Sequence, residues 1–423
     1  MKLKKLLVGT AALALGMLSL TACGGGNSGS GTDKDGTTTL TFWNGFTASD
    51  GEILQEIVNR FNDENDKNIK IEMDIMMWSN LNEKLPPAIS SKTAPDFVAL
   101  NYSDFAQYVK NGAVQPIDDF WSYDGVDKND FASSAVDLGV VDGKQYYVPM
   151  QVQGMYMYWN KDLFKAAGLD ENTPPTTWEQ LTEMAPKLTD ASKNVHGFIF
   201  NKDGTAPLYN WILANGGKVI SDDYTKSEFA SPENLKTLQA IQKMIHVDKT
   251  GPESISGAEM DNVMNAGQLA IELNGPWLNN GLKANEINYG VTTIPQGSGE
   301  KTAILDGVGY AIPASTSEDK KEAIYEFLKY WNTADIGKEW SMRNGFPAYL
   351  NSVGEDEEVK NDPIVTELSK QMEFAKPFLP GFDQLPTINN DIINPLIEKL
   401  LAGEDAEKLM NDADKQINDL LAN

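Results

Sequence analysis

The chain has 423 residues, with 61 acidic side chains against 35 lysines and arginines, and its net charge of −26 excludes nucleic acid and anionic lipid as natural partners. Its length exceeds what one hydrophobic core ordinarily serves, so two lobes are expected. One cysteine, Cys23, leaves no intrachain disulfide and no cysteine-built zinc cluster.

At the amino terminus Lys2, Lys4 and Lys5 precede an apolar run from Leu6 to Leu20, the layout of a secretory signal peptide over residues 1–22. Leu20-Thr21-Ala22-Cys23 then resembles the lipobox of bacterial lipoproteins, which implies that Cys23 becomes the first mature residue and carries lipid. More than one acyl chain there gives stable anchoring. Loss of the three signal lysines takes the charge to near −29 over 401 residues. Residues 23–36 form a Gly/Ser-rich tether, and no later apolar stretch is long enough to span a bilayer.

Folded sequence begins at Thr39-Leu40-Thr41-Phe42-Trp43, a strand by its β-branched and aromatic content. Ser49-Asp50-Gly51-Glu52 has capping-box spacing and opens a helix striped by Ile53, Leu54, Ile57, Val58 and Phe61. A strand at 69–73 completes a strand-helix-strand unit, and 96–100 with a helix ending near Gly112 repeats it, the signature of a parallel sheet. Extended runs follow at 146–149 and 155–159, then a short helix closed by Gly168 and a helix opened by Thr177-Trp178-Glu179-Gln180 with a second capping box. Strands are expected at 197–200, 269–273, 289–293 and 309–312, a helix at 318–331, and a helical tail built on Leu396, Leu400, Leu401, Leu409, Ile417 and Leu420.

Several stretches resemble the extracellular solute-binding proteins of sugar importers, the family of the maltose-binding protein. They are Trp159-Asn160-Lys161-Asp162-Leu163-Phe164 with the later Thr177-Trp178 helix start, and Ala266 to Trp277, which contains Asn274-Gly275-Pro276-Trp277. Ala94-Pro95-Asp96 and 307–312 are weaker matches. The resemblance implies an α/β, two-lobed, periplasmic-binding-protein-like fold of the class II type with the ligand cleft between lobes. It divides the chain into an N-terminal lobe of 37–150 plus 305–345 and a C-terminal lobe of 155–300 plus 350–423. The crossings fall near 150–154, 295–305 and 345–349.

A sugar offers apolar C–H faces and a rim of hydroxyls, so its cleft needs aromatic platforms together with amides or carboxylates. Trp43, Asn44 and Phe46 follow the first strand and Asn101 and Tyr102 end the third, where a ligand of an open α/β sheet sits. By resemblance, Gln153 takes the place of a family carboxylate, with Gln151 beside it on one strand face. Trp277 matches a stacking tryptophan, and Tyr209 lies where the family places aromatics. Thr387, Ile388 and Asn389 stand where another platform is usual. Asp306, Phe346 and Asp383 complete the candidates as polar or aromatic residues at crossings or loop tips.

The expected function is an extracytoplasmic substrate-binding lipoprotein of an ABC sugar importer. It is held at the cell membrane by lipid on Cys23, delivers a mono- or oligosaccharide to membrane permease subunits, and works as a monomer without a cofactor. Only His196 and His246 are histidines, neither at a catalytic or metal-ligand spacing, so no enzyme and no metal site is expected. A secreted glycoside hydrolase with two carboxylates, or a carbohydrate-binding adhesin, is the alternative.

Overall fold

A computed structural model describes residues 36–422 apart from Ala48. The signal segment, Cys23 and most of the tether lie outside the described residues.

Twelve strands build the frame: β1 Thr38–Asn44, β2 Ile69–Ile75, β3 Phe97–Asn101, β4 Val140–Val141, β5 Lys144–Gln145, β6 Tyr147–Gln153, β7 Tyr156–Asn160, β8 His196–Phe198, β9 Leu269–Asn274, β10 Tyr289–Thr293, β11 Ala303–Ala311 and β12 Ala375–Pro377. In the first sheet β1 lies between β2 and β3 and runs parallel to both, as strand-helix-strand units require. Strand β11 adds antiparallel to β3, with β6 antiparallel on its other side and β12 parallel to its first residues. The second sheet has the order β10-β7-β9-β8, while β4 and β5 form a separate hairpin. The fold is thus two-lobed and α/β, each lobe carrying its own sheet with helices packed over it.

The helical periodicity read from sequence corresponds to buried faces. Helix Ser49–Glu64 buries Ile53, Leu54, Ile57, Val58 and Phe61, and helix Glu318–Trp331 has the expected bounds. In the tail Leu396, Leu400, Leu401, Leu409 and Ile417 are buried. One local expectation changes. Thr177 does cap its helix, accepting from Gln180 N at 3.1 Å, but the Gln180 side chain reaches Thr176 N, so the reciprocal half of the box is displaced by one residue. The complete capping box belongs to Ser256 and Glu259, at the start of helix Gly257–Asn265.

The chain leaves β6 and enters β7 across only Gly154 and Met155, so these two residues carry it from one sheet to the other. Buried Gln371, on helix Pro363–Met372, donates from Nε2 to Met155 O at 3.0 Å and accepts from Ile294 N at 2.8 Å. One side chain therefore grips both strands where they pass between sheets. A Cβ on Gly154 would lie 2.8 Å from that Nε2 and 3.2 Å from Ile304 O, which explains the glycine.

Candidate functional site

Loops and strand ends of the first lobe converge with one loop of the second on a cleft of 310 Å³. Its floor follows from strand register. Val308 on β11 stands between Asn101 on β3 and Gln151 on β6, and Asp306 pairs with Gln153 in the next row. Because side chains two apart share a face, Gln151 and Gln153 project together, as do Asp306 and Val308.

The polar groups of this floor form an ordered chain. Trp340 Nε1 donates to Gln151 Oε1 at 3.1 Å, Gln151 Nε2 donates to Gln153 Oε1 at 2.7 Å, and Gln153 Nε2 faces Asp306 Oδ2 at 3.4 Å. An indole N–H only donates, so it fixes the orientation of the first amide, and each amide fixes the next. The chain ends on a carboxyl whose other oxygen accepts from Gly307 N at 2.8 Å. Burial pushes the Asp306 carboxyl up to about 6, with the Gly307 and Gln153 hydrogen bonds opposing the rise.

Aromatic rings wall the cleft. Phe46 meets Trp78 edge-on at 5.3 Å and Trp340 at 5.9 Å, while Phe346 stacks on Trp340 at 5.9 Å. Trp78 rests over Gly45, where a Cβ would come within 2.0 Å of its ring. In the opposite lobe Trp277 rests over Gly275 with the same 2.0 Å clearance. Trp277 is 38% exposed, and Ile75 at 41% and Met77 at 57% are likewise uncommonly exposed for large apolar residues. A shallower depression of 540 Å³ continues from Phe46 and Thr47 over Gln55 and Ile75.

The lobes touch across the cleft. Asn280 Nδ2, in the helix after Trp277, donates to Ser49 Oγ at 3.0 Å and lies 3.3 Å from Asn344 Oδ1. On another side Pro386 and Thr387 face Asp104 and Tyr108 across a gap of 260 Å³. Among the described residues lining these three hollows there is no lysine, arginine or histidine.

The structure brings together Phe46, Asn101, Gln151, Gln153, Trp277 and Phe346 in the cleft lining, with Asp306 joined to Gln153. Asn44 is fully buried behind them; its Oδ1 accepts from Phe46 N at 3.2 Å, whereas its Nδ2 has no partner. The Tyr102 hydroxyl is likewise buried and unpartnered, and burial raises its pKa. Trp43 instead turns to the edge of the sheet, donating to Asp74 at 3.0 Å. Tyr209 is buried and donates to Asn389 at 2.6 Å, and Asp383 is exposed; neither belongs to the lining of this cleft. Sequence reasoning missed Trp78, whose signal is an aromatic placed between a strand end and a helix start. Trp340, fully buried, stands at the head of the amide chain.

The profile of the bacterial extracellular solute-binding proteins matches residues 47–338. A curated relative, the sn-glycerol-3-phosphate-binding periplasmic protein UgpB of Brucella melitensis, is 26% identical over 413 residues, covering 91% of this chain and 93% of its own. Among solved structures, an ABC transporter solute-binding protein of Thermotoga lettingae bound with α-D-tagatose superposes with a TM-score of 0.81 at 23% identity, covering 90% of this chain and 99% of its own. Maltose-bound MalE3 of T. maritima gives 0.81 at 22% identity with the same coverage.

Proposed function

Because the chain belongs to the bacterial extracellular solute-binding protein family, we propose that its cleft captures a neutral oligosaccharide and presents it to the membrane subunits of an ABC importer. One observation carries the choice of ligand: the cleft pairs aromatic platforms with amides and a carboxyl, and no cationic side chain lines it. Aromatic faces suit the C–H faces of a pyranose, and the oriented amides suit its hydroxyls. A phosphate ester such as the ligand named for UgpB needs an Arg or Lys partner, or a cluster of N–H donors. The depression over Ile75 and Gln55 supports a ligand longer than one ring.

Sheet membership supports the lobe assignment of 37–150 plus 305–345 against 155–300 plus 350–423, with the exception of β12, Ala375–Pro377, which joins the first sheet beside β11. The ligand touches both lobes, so it favours the closed arrangement by its extra contacts there. It is bound without chemistry and released unchanged. Cys23 carries the lipid that keeps the protein at the outer face of the cell membrane.

A thermal-shift panel of neutral di- to tetrasaccharides against sn-glycerol 3-phosphate tests the ligand class. A saccharide at about 100 times its Kd stabilises the folded state by about 2.7 kcal/mol, and the phosphate ester leaves the melting temperature unmoved. Stabilisation by the ester alone overturns the reading, as does release of new reducing ends from a saccharide.

A further inference from the structure

On the strand that leads into the Trp277 loop, outside the cleft lining, lies a largely buried polar cluster. Glu272 is fully buried on central strand β9. Helix Gly257–Asn265 packs over this strand and brings the Asp261 carboxyl within hydrogen-bonding reach of Glu272. Asn274 stands two residues along the same strand face and donates from Nδ2 to both acids, to Asp261 Oδ1 at 2.7 Å and Glu272 Oε1 at 2.6 Å. Its Oδ1 accepts from Gly275 N at 2.8 Å. The one amide thus joins the acids to the backbone of the residue on which the Trp277 ring rests.

The other groups facing the cluster are phenols and an amide. Tyr158 on β7 pairs with Glu272 in register and donates to Gly275 O at 3.2 Å. Tyr289 on β10 donates to Asn279 Oδ1 at 3.2 Å, and Asn279 donates to Pro276 O at 2.8 Å. The Tyr156 hydroxyl is buried without a partner, and His196 on β8 pairs with Leu269 at the far end of β9. Among the described residues no lysine or arginine hydrogen-bonds or ion-pairs with either acid. The second Glu272 oxygen, Oε2, therefore meets no donor except a proton shared with Asp261.

We infer that Asp261, Glu272 and Asn274 are positioning residues for the Trp277 platform: the two carboxyl groups hold a proton between them, and Asn274 transmits that arrangement to Gly275. Two adjacent buried carboxylates without a cation repel one another. When base removes the proton, the Glu272 O–H bond breaks and the proton leaves to solvent. The helix and strand then separate, Asn274 loses one acceptor, and the ring over Gly275 shifts. Burial and the neighbouring acid both raise the Glu272 pKa, so the proton stays in place through ordinary acidic conditions and leaves as pH rises. The inference takes from the proposed function only that Trp277 is the platform.

The test follows the ring without ligand. The mature chain is labelled with 5-fluorotryptophan, and its Trp277 resonance is assigned by its loss in Trp277→Phe. Across a pH scan the wild-type resonance holds at low pH and moves as pH rises. Glu272→Gln keeps a permanent donor and gives a flat profile, with circular dichroism reporting its fold. Asp261→Asn removes the like charge and supplies an amide donor, so the midpoint falls. A flat wild-type profile overturns the inference, as does an unchanged midpoint in Asp261→Asn or in a folded Glu272→Gln. Failure of the sugar reading has a different signature: the ring titrates as expected while no saccharide stabilises the protein.

Discussion

Replacing Trp277 with alanine removes the one large ring that the second lobe offers to the cleft lining. A buried tryptophan covers at most about 250 Å², and Trp277 is 38% exposed, so a stacked sugar can cover about 95 Å² of it. At about 25 cal/mol per Å² this is about 2.4 kcal/mol, or about a 50-fold rise in Kd. Isothermal titration calorimetry reads that rise with the saccharide that gives the largest thermal shift. The unliganded protein loses less, because the ring packs mainly on the backbone of Gly275. Urea unfolding of Trp277→Ala is compared with Trp331→Ala, which removes a fully buried ring and its donor to Met150 O at a cost of about 3–5 kcal/mol. If Trp277→Ala matches Trp331→Ala in lost stability, or leaves Kd within about threefold, the ring belongs to the core and the platform argument is wrong.

Four further outcomes follow from the geometry. Asp306→Asn abolishes a pH dependence of sugar affinity centred on about 6, because a ligand hydroxyl donates to the ionised carboxyl and wild-type binding weakens as pH falls through that value. In the unliganded wild type the same raised pKa acts on stability in the opposite sense. Its contribution is full below the usual carboxylate range and is lost as pH rises toward about 6, a decline that urea titrations at several pH values detect and that Asp306→Asn removes. Gln371→Ala leaves Ile294 N and Met155 O without their partner in a buried site and costs about 2–4 kcal/mol in chemical unfolding. Gly45→Ala drives a Cβ into the Trp78 ring, so sugar affinity measured by calorimetry falls at least about tenfold; unchanged affinity removes Trp78 from the site.

Local chemistry made much of this legible in advance. The period-two rule put Gln151 and Gln153 on one face, while it was the family resemblance of Asn274-Gly275-Pro276-Trp277 that pointed to the platform. What stayed hidden depends on pairings between distant segments. The link from Gln153 to Asp306 needs β6 and β11, 153 residues apart, to lie side by side. Trp78 needs Gly45, at the end of another strand, to leave room for its ring. Strand β11 begins six residues before the stretch 309–312 that announces it, because Ala303–Leu305 gains its partner from β12 far along the chain. Glu272 sits within an apolar strand, and nothing local tells that Asp261, on the preceding helix, will face it.

The grip of Gln371 decides which part of the passage between the halves can turn. A side chain bonded at once to Met155 and Ile294 ties the two strands at a common level, so neither slides past the other without breaking a buried bond. All three residues belong to the second lobe, so the grip fixes that lobe's side of the passage and leaves torsion about Gly154 available. The motion this leaves free is a turn at the two-residue link of Gly154 and Met155, which changes the distance between the lobes without disturbing the pairings inside either sheet.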